Sequence, residues 1–251
     1  MKHIFSETGK AALREVMSRH PLLAFDFDGT LAPIVPLPDA AATPASISRR
    51  LTVLADQLPI AIITGRTVAD VCARLGFQPH YVLGSHGAEG WSGVDMAPAA
   101  QLMDPLRVFL EARAPELRQL GVRVEDKHLS LALHYRSAPD REKAMAFIHE
   151  LLRESTAGLV VFGGKCVVNV VPANAPNKGH ALQALVQQTG VDTVVFIGDD
   201  LNDEAAFSIA LPHWLTIRVG GPDASSSARY FIEDHKQIAI LLQFMTDLLA
   251  A

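Results

Sequence analysis

Leu22-Leu23-Ala24-Phe25-Asp26-Phe27-Asp28-Gly29-Thr30 is the stretch on which the reading of the fold turns. Four apolar residues in succession, followed by acidic residues and a glycine, predict a buried strand that runs straight into a loop. The same design recurs along the chain. Ile60-Ala61-Ile62-Ile63 runs into Thr64-Gly65-Arg66, Tyr81-Val82-Leu83 into Gly84-Ser85-His86-Gly87, and Val194-Val195-Phe196-Ile197 into Gly198-Asp199-Asp200. Helical spacing fills the intervals: Ile47, Leu51, Leu54 and Leu58 after Pro44, residues 68–75 closed by Gly76, residues 177–188, and residues 235–249 at the end. Continuous apolar strands alternating with helices imply a parallel sheet covered on both faces.

The middle of the chain has a different texture. A helix is expected over 102–120, disturbed by Pro115, and then a strand pair over 122–125 and 128–135. In the second of these, Leu129, Leu131 and Leu133 face one way and Ser130, Ala132 and His134 the other. An amphipathic helix over 140–152 follows, and two strands flank Gly163-Gly164, a hairpin signal. The expectation is α/β: a Rossmann-like parallel-sheet core from residues 1–101 and 172–251, with an inserted α+β cap domain at 102–171.

The chain has 251 residues and a formal net charge of −5. Such a length buries about 70–75% of the surface its unfolded form exposes, so no staples are needed. No basic stripe supports a nucleic-acid partner. No apolar run approaches the ~18 residues of a membrane span. Cys72 and Cys166 read as reduced, buried small hydrophobes, and without an apolar leader the expected compartment is the cytoplasm. The sequence leaves the oligomeric state open; a monomer is compatible with it.

Chemistry gathers after the strand ends, where an open α/β sheet binds ligands. Asp26 and Asp28 repel one another unless a proton or cation lies between them. They suit hard-cation binding such as Mg²⁺, or attack on phosphorus. Asp199, Asp200 and Asp203 form a second acidic cluster in an equivalent place, whereas Glu204 reads as a complement to the helix dipole. Thr64-Gly65-Arg66 opens a helix and reads both as an anion site and as a plain cap. Lys178 sits at the start of a helix, the end where a cation is unfavourable, so it serves something else; a phosphate or an aspartate would suit it. Together these pieces form a phosphoryl-transfer kit. The unaided residues leave bland readings open elsewhere: a solvated pair for Glu125 and Lys127, outer-face residues for His134 and Arg136, and a turn or hinge contact for His86.

The four motifs resemble the haloacid dehalogenase superfamily in order and context. Within it, the chain is similar to the trehalose-6-phosphate phosphatases over nearly its whole length. Three further groups of motifs carry that closer likeness. They are Gly84-Ser85-His86-Gly87-Ala88-Glu89; Glu125-Asp126-Lys127 with Leu133-His134-Tyr135-Arg136; and Gly164-Lys165-Cys166-Val167-Val168. The resemblance implies that Asp26 attacks phosphorus and that Asp28 serves as acid and then base. Thr64 and Lys178 would hold the phosphate. Mg²⁺ would be bound by Asp26, the main-chain carbonyl of Asp28 and Asp199, with Asp200 and Asp203 in support. It further implies a small-molecule sugar phosphate as substrate, met by Arg66, His86, Gly87, Glu125, Lys127, Arg136 and Asn169.

Two departures bear on the sugar. The family usually has Glu where this chain has Asn169, and Lys or Arg where it has Val171. His128, commonly Gly, and Asn202, commonly Thr, depart less. The alternatives kept open are a phosphatase of another sugar phosphate, a phosphosugar mutase, and an inactive sugar-phosphate sensor.

Overall fold

The computed structural model describes residues 1–91, 97–153 and 158–250. The chain forms two compact units, one of Met1–Gly90 with Pro176–Ala251, the other of Trp91–Ala175.

The first unit is built on seven strands: β1 (Lys2–His3), β2 (Leu22–Phe25), β3 (Ile60–Ile63), β4 (Tyr81–Leu83), β9 (Val194–Gly198), β10 (Leu215–Val219) and β11 (Tyr230–Ile232). Their order is β1-β11-β10-β9-β2-β3-β4, and every pairing is parallel. Leu22, Leu23, Ala24 and Phe25 are all fully buried, as a strand covered on both faces requires. The covering helices are α1 (Glu7–Met17), α2 (Ala45–Ala55), α3 (Val68–Leu75), α8 (Lys178–Thr189), α9 (Glu204–Ser208) and α10 (Ile238–Leu249). Gly76 ends α3 in the left-handed conformation, as its position predicts.

Phe25 lies opposite both Ile62 and Ile197. That register sets Asp26, Thr64 and Asp199 along one edge, at the carboxyl ends of β2, β3 and β9. The chain proceeds outward from β2 to β3 and β4 on one side and from β9 to β10 and β11 on the other. The site therefore lies at the topological switch point.

The second unit holds a four-stranded antiparallel sheet of order β5-β6-β8-β7: β5 (Arg123–Asp126), β6 (Leu131–His134), β7 (Leu159–Gly164) and β8 (Val167–Pro172). Helices α4 (Ala97–Gln101), α5 (Asp104–Ala112), α6 (Ala114–Gln119) and α7 (Arg141–Arg153) accompany it. Leu131, Leu133, Val168 and Val170 share a core with Leu106, Leu110, Leu117 and Ile148 of the helices.

Several local expectations change. The helix expected over 102–120 is two, divided at Arg113, with Pro115 in the first turn of α6. The hairpin turns at Lys165-Cys166 rather than Gly163-Gly164. Both glycines pair within β7, opposite Val168 and Val167, and Cys166 takes φ +62. Turning there yields six cross-strand pairs where a turn at the glycines would leave four. Cys72 is free and exposed rather than buried. Helix α1, whose N-cap Ser6 accepts from Gly9 N, edge strand β1 and its neighbour β11 add to the elements read from the sequence. Among the described residues no helix is long and apolar enough to cross a membrane.

Candidate active site

Asp26 follows the last residue of β2 and is 5% exposed. Its Oδ1 accepts a hydrogen bond from Lys178 Nζ at 2.5 Å, and the same ammonium donates to Asp203 Oδ1 at 2.7 Å. Lys178 is the first residue of α8, behind the N-cap Asn177, whose side chain accepts from His180 N. A lysine there works against the helix dipole, and two carboxylates outweigh that cost. Asp203 Oδ2 accepts from the backbone N–H groups of Asp199 and Asp200, at 2.8 and 3.0 Å. Asp203 thus shapes the loop after β9 while anchoring the ammonium. Asp200 caps the following turn through Leu201 N. Glu204, at the start of α9, also accepts from Ser227 N at 2.8 Å. Gly29, at φ +88, lies so close to Asp199 that a Cβ would overlap the carboxylate. Only glycine permits that approach.

Asp26, Asp199 and Asp203 are all buried, and each places a carboxylate oxygen within 4.8 Å of the others. Burial and the charges of Asp203 and Asp199 push the Asp26 carboxyl well above the ordinary range, against the pull of Lys178. Burial alone would lower the Lys178 pKa, but Asp203 and Asp26 more than reverse this and hold the ammonium charged. One ammonium offsets one of three negative charges; a divalent cation would offset the other two. The donor set is all hard oxygen, which fits Mg²⁺. Asp203 has both oxygens engaged, so Asp26 and Asp199 are the carboxylates best placed to donate directly. Asp26 Oδ2 has no hydrogen-bond partner among the described residues.

The loop after β3 supplies the neighbouring groups. Thr64 is buried, and its Oγ1 accepts from Arg66 N at 3.2 Å, which leaves the hydroxyl proton able to donate. Arg66 grips Asp28 with a two-point fork: Nε to Oδ2 at 2.7 Å and Nη2 to Oδ1 at 2.8 Å. Its Nη1 donates to Asp70 at 2.6 Å, and its guanidinium lies over the Phe27 ring. Arg66, expected at the substrate, is thus committed to holding Asp28 in place. His86 has φ +60, and its N–H donates to the Thr64 carbonyl at 2.8 Å. A side chain at Gly65 would meet the His86 ring at 2.6 Å, so the β3 and β4 loops are built against each other. Gly87 follows at φ +103.

On the second unit, Glu125 Oε2 lies 2.7 Å from His134 Nε2 and 3.8 Å from Lys127 Nζ. Asn169 is buried on β8, in the same cross-strand row as Glu125 through Ala132. Arg136 donates to the Lys165 carbonyl at the hairpin turn and is not bonded to the Glu125 group.

The model of one protein family, trehalose-phosphatase, matches residues 24–235, a span that takes in every group described above. The chain belongs to the trehalose-phosphatase family. It is 34% identical over 238 residues to the trehalose-phosphate phosphatase of Mycobacterium marinum, covering 87% of this chain and 60% of that one. It is 36% identical over 208 residues to an uncharacterised glycosyl hydrolase of Mycobacterium tuberculosis, covering 77% of this chain and 16% of that one. The chain thus spans less than two thirds of these relatives. The trehalose-6-phosphate phosphatase C-terminal domain of C. albicans superposes with a TM-score of 0.74 at 24% identity, over 95% of this chain and 96% of that one. At that identity the likeness is one of fold.

Placed in the trehalose-phosphatase family, the chain still shows supports that its motifs do not reveal. Asp70 and Arg74 brace Arg66. Burial raises the Asp70 carboxyl, but hydrogen bonds from Arg74 and Arg66 outweigh it and hold the group below the usual carboxylate range. The i, i+4 spacing from Arg66 to Asp70 to Arg74 was a readable signal. Glu125 follows the same logic. Burial alone would raise its pKa, yet His134, Lys127 and Arg123 bring it down to about 2. A folded pKa below the unfolded one stabilises the fold above pH ~4.5, and that contribution disappears as pH falls through about 2. We therefore expect the Glu125 carboxyl carbon, followed by NMR, to hold its ionised shift to about pH 3. A midpoint near 4.5 would contradict the grip seen here.

Proposed function

We propose that this chain hydrolyses trehalose 6-phosphate to trehalose and inorganic phosphate, with Mg²⁺ and through an aspartyl phosphate at Asp26. One observation carries the chemistry: Asp26 keeps one oxygen pinned by a buried ammonium and the other without a partner, at the switch point of a parallel sheet. Asp26 Oδ2 attacks phosphorus, and the bond from phosphorus to the sugar oxygen breaks. Asp28 gives a proton to that oxygen, a step for which one of its oxygens must leave the Arg66 fork. Asp28 then takes a proton from water, whose oxygen attacks the phosphoryl group, releasing phosphate and restoring the Asp26 carboxylate. Thr64 and Lys178 hold phosphate oxygens throughout. Asp26 and Asp199, with the Asp28 carbonyl and with Asp200 and Asp203 in support, would hold Mg²⁺, which would supply charge neutralisation for the phosphoryl group.

The second unit serves as the cap that reads the sugar, through Glu125, Lys127, Arg136 and Asn169. Family membership and the name of the Mycobacterium marinum relative support trehalose 6-phosphate as that substrate. Asn169 and Val171, standing where the family usually carries charge, favour a second reading: another sugar phosphate on the same machinery. The place of action proposed is the cytoplasm, with no nucleic-acid or membrane partner.

Phosphate release across a panel of phosphosugars, with and without Mg²⁺, tests the proposal. The expected result is a preference for trehalose 6-phosphate that vanishes with chelator and returns with Mg²⁺. Comparable kcat/KM for several sugars would move the assignment to the second reading. No release from any of them would leave the protein a sensor.

A further inference from the structure

The face of the β5-β6-β8-β7 sheet opposite its helix core holds a second arrangement. Leu131, Leu133, Val168 and Val170 point into that core, so alternation places Ala132, His134 and Asn169 on the other face. Ser130 joins them by parity, and its carbonyl accepts from Lys127 N, extending the β5–β6 ladder by one pair. In register, Glu125 and Asn169 flank Ala132 from the neighbouring strands. Ser130 and His134 flank it along its own strand. Four polar side chains thus surround one methyl group.

Two of the four are satisfied: Glu125 and His134 bond each other at 2.7 Å. The other two are not. Ser130 is 2% exposed, and its Oγ has no hydrogen-bond partner among the described residues. Asn169 is 5% exposed, and its amide likewise makes no hydrogen bond among them. A buried hydroxyl without a partner is costly, and an apolar side chain of similar size at position 130 would avoid that cost. Diagonal neighbours on adjacent strands lie about 7–8 Å apart. Ser130 and Asn169 stand in that diagonal relation, with Ala132 next to both, so they can reach the same small polar ligand group. Both donate and both accept, and neither carries charge. That chemistry matches the hydroxyls of a sugar.

We propose that Ser130 is a sugar-specificity residue that pairs with Asn169 to form a neutral, hydroxyl-reading element beside the hydrogen-bonded Glu125–His134 pair. This rests on the proposed sugar-phosphate phosphatase activity and assigns part of its sugar selectivity to two uncharged groups.

The test uses the whole chain with Mg²⁺, the best sugar phosphate of the panel, and p-nitrophenyl phosphate, which has no sugar. Ser130→Ala removes one oxygen. It should raise KM for the sugar phosphate about tenfold, equivalent to ~1.4 kcal/mol, and change p-nitrophenyl phosphate kinetics by less than about twofold. Ser130→Ala combined with Asn169→Leu should lose less than the product of the single losses if both touch one ligand group. Without sugar, Ser130→Ala should melt no lower than the parent, because a buried unpartnered hydroxyl is removed. The thermal shift produced by the free product sugar should shrink in the variant. Equal losses on both substrates, or an unchanged sugar-phosphate KM, would overturn the role of Ser130 while leaving the phosphatase reading standing. A parent protein that favours no sugar phosphate over p-nitrophenyl phosphate would sink both.

Discussion

Asp26→Asn is expected to lower kcat by roughly 10⁴-fold or more, the scale seen when a covalent nucleophile is removed, while leaving the fold intact. The amide has nearly the shape of the carboxylate, and its oxygen can still accept from Lys178, now 2.5 Å from Asp26 Oδ1. It cannot attack phosphorus. Removing the charge also relieves repulsion from Asp199 and Asp203, the same repulsion that helps raise the Asp26 pKa. The variant should therefore melt at or above the parent temperature in chelator, and gain less than the parent when Mg²⁺ is added, since one donor to the cation is lost. Steady-state phosphate release paired with thermal unfolding checks both halves. Appreciable turnover in the variant would refute the nucleophile assignment.

Removing the cation from the same cluster should act in the opposite sense on stability. Lys178→Met fills a similar volume but leaves the buried Asp26, Asp199 and Asp203 without their ammonium. Breaking a buried ion pair by deleting one partner costs about 3–5 kcal/mol. For a chain of this size that is a fall in melting temperature of roughly ten degrees. The loss should be largest in chelator and partly recovered by Mg²⁺, because a divalent cation supplies the missing positive charge. Turnover should also fall steeply, since a phosphate ligand is gone. Calorimetry with and without Mg²⁺ measures the effect; an unchanged transition in chelator would mean that the ammonium does not hold the cluster together.

These two results bear on how much of the site was legible. The strand ends were, because an apolar run that stops at Asp26, Thr64 or Asp199 marks both a parallel strand and the edge where it opens. Lys178 was legible through its conflict with the helix dipole. Arg66 was not: its place beside Thr64 suggested an anion, and only the fold shows that it grips Asp28, although the spacing to Asp70 and Arg74 that braces it was readable. Ser130 carries no motif, and its interest arises from burial without a partner.

The sequence by itself determined the α/β class, the recurring strand-to-loop design and the acidic clusters, because local hydrophobic runs and unfavourable charge placements are properties of neighbouring residues. Tertiary structure alone decided which partner each charged group takes. Asp26 and Lys178 are 152 positions apart in the chain, and Arg66 and Asp28 are 38 apart. Such pairs form only when strand register and helix packing fix the side chains within hydrogen-bond reach, in a setting dry enough for the choice of partner to govern both stability and reactivity.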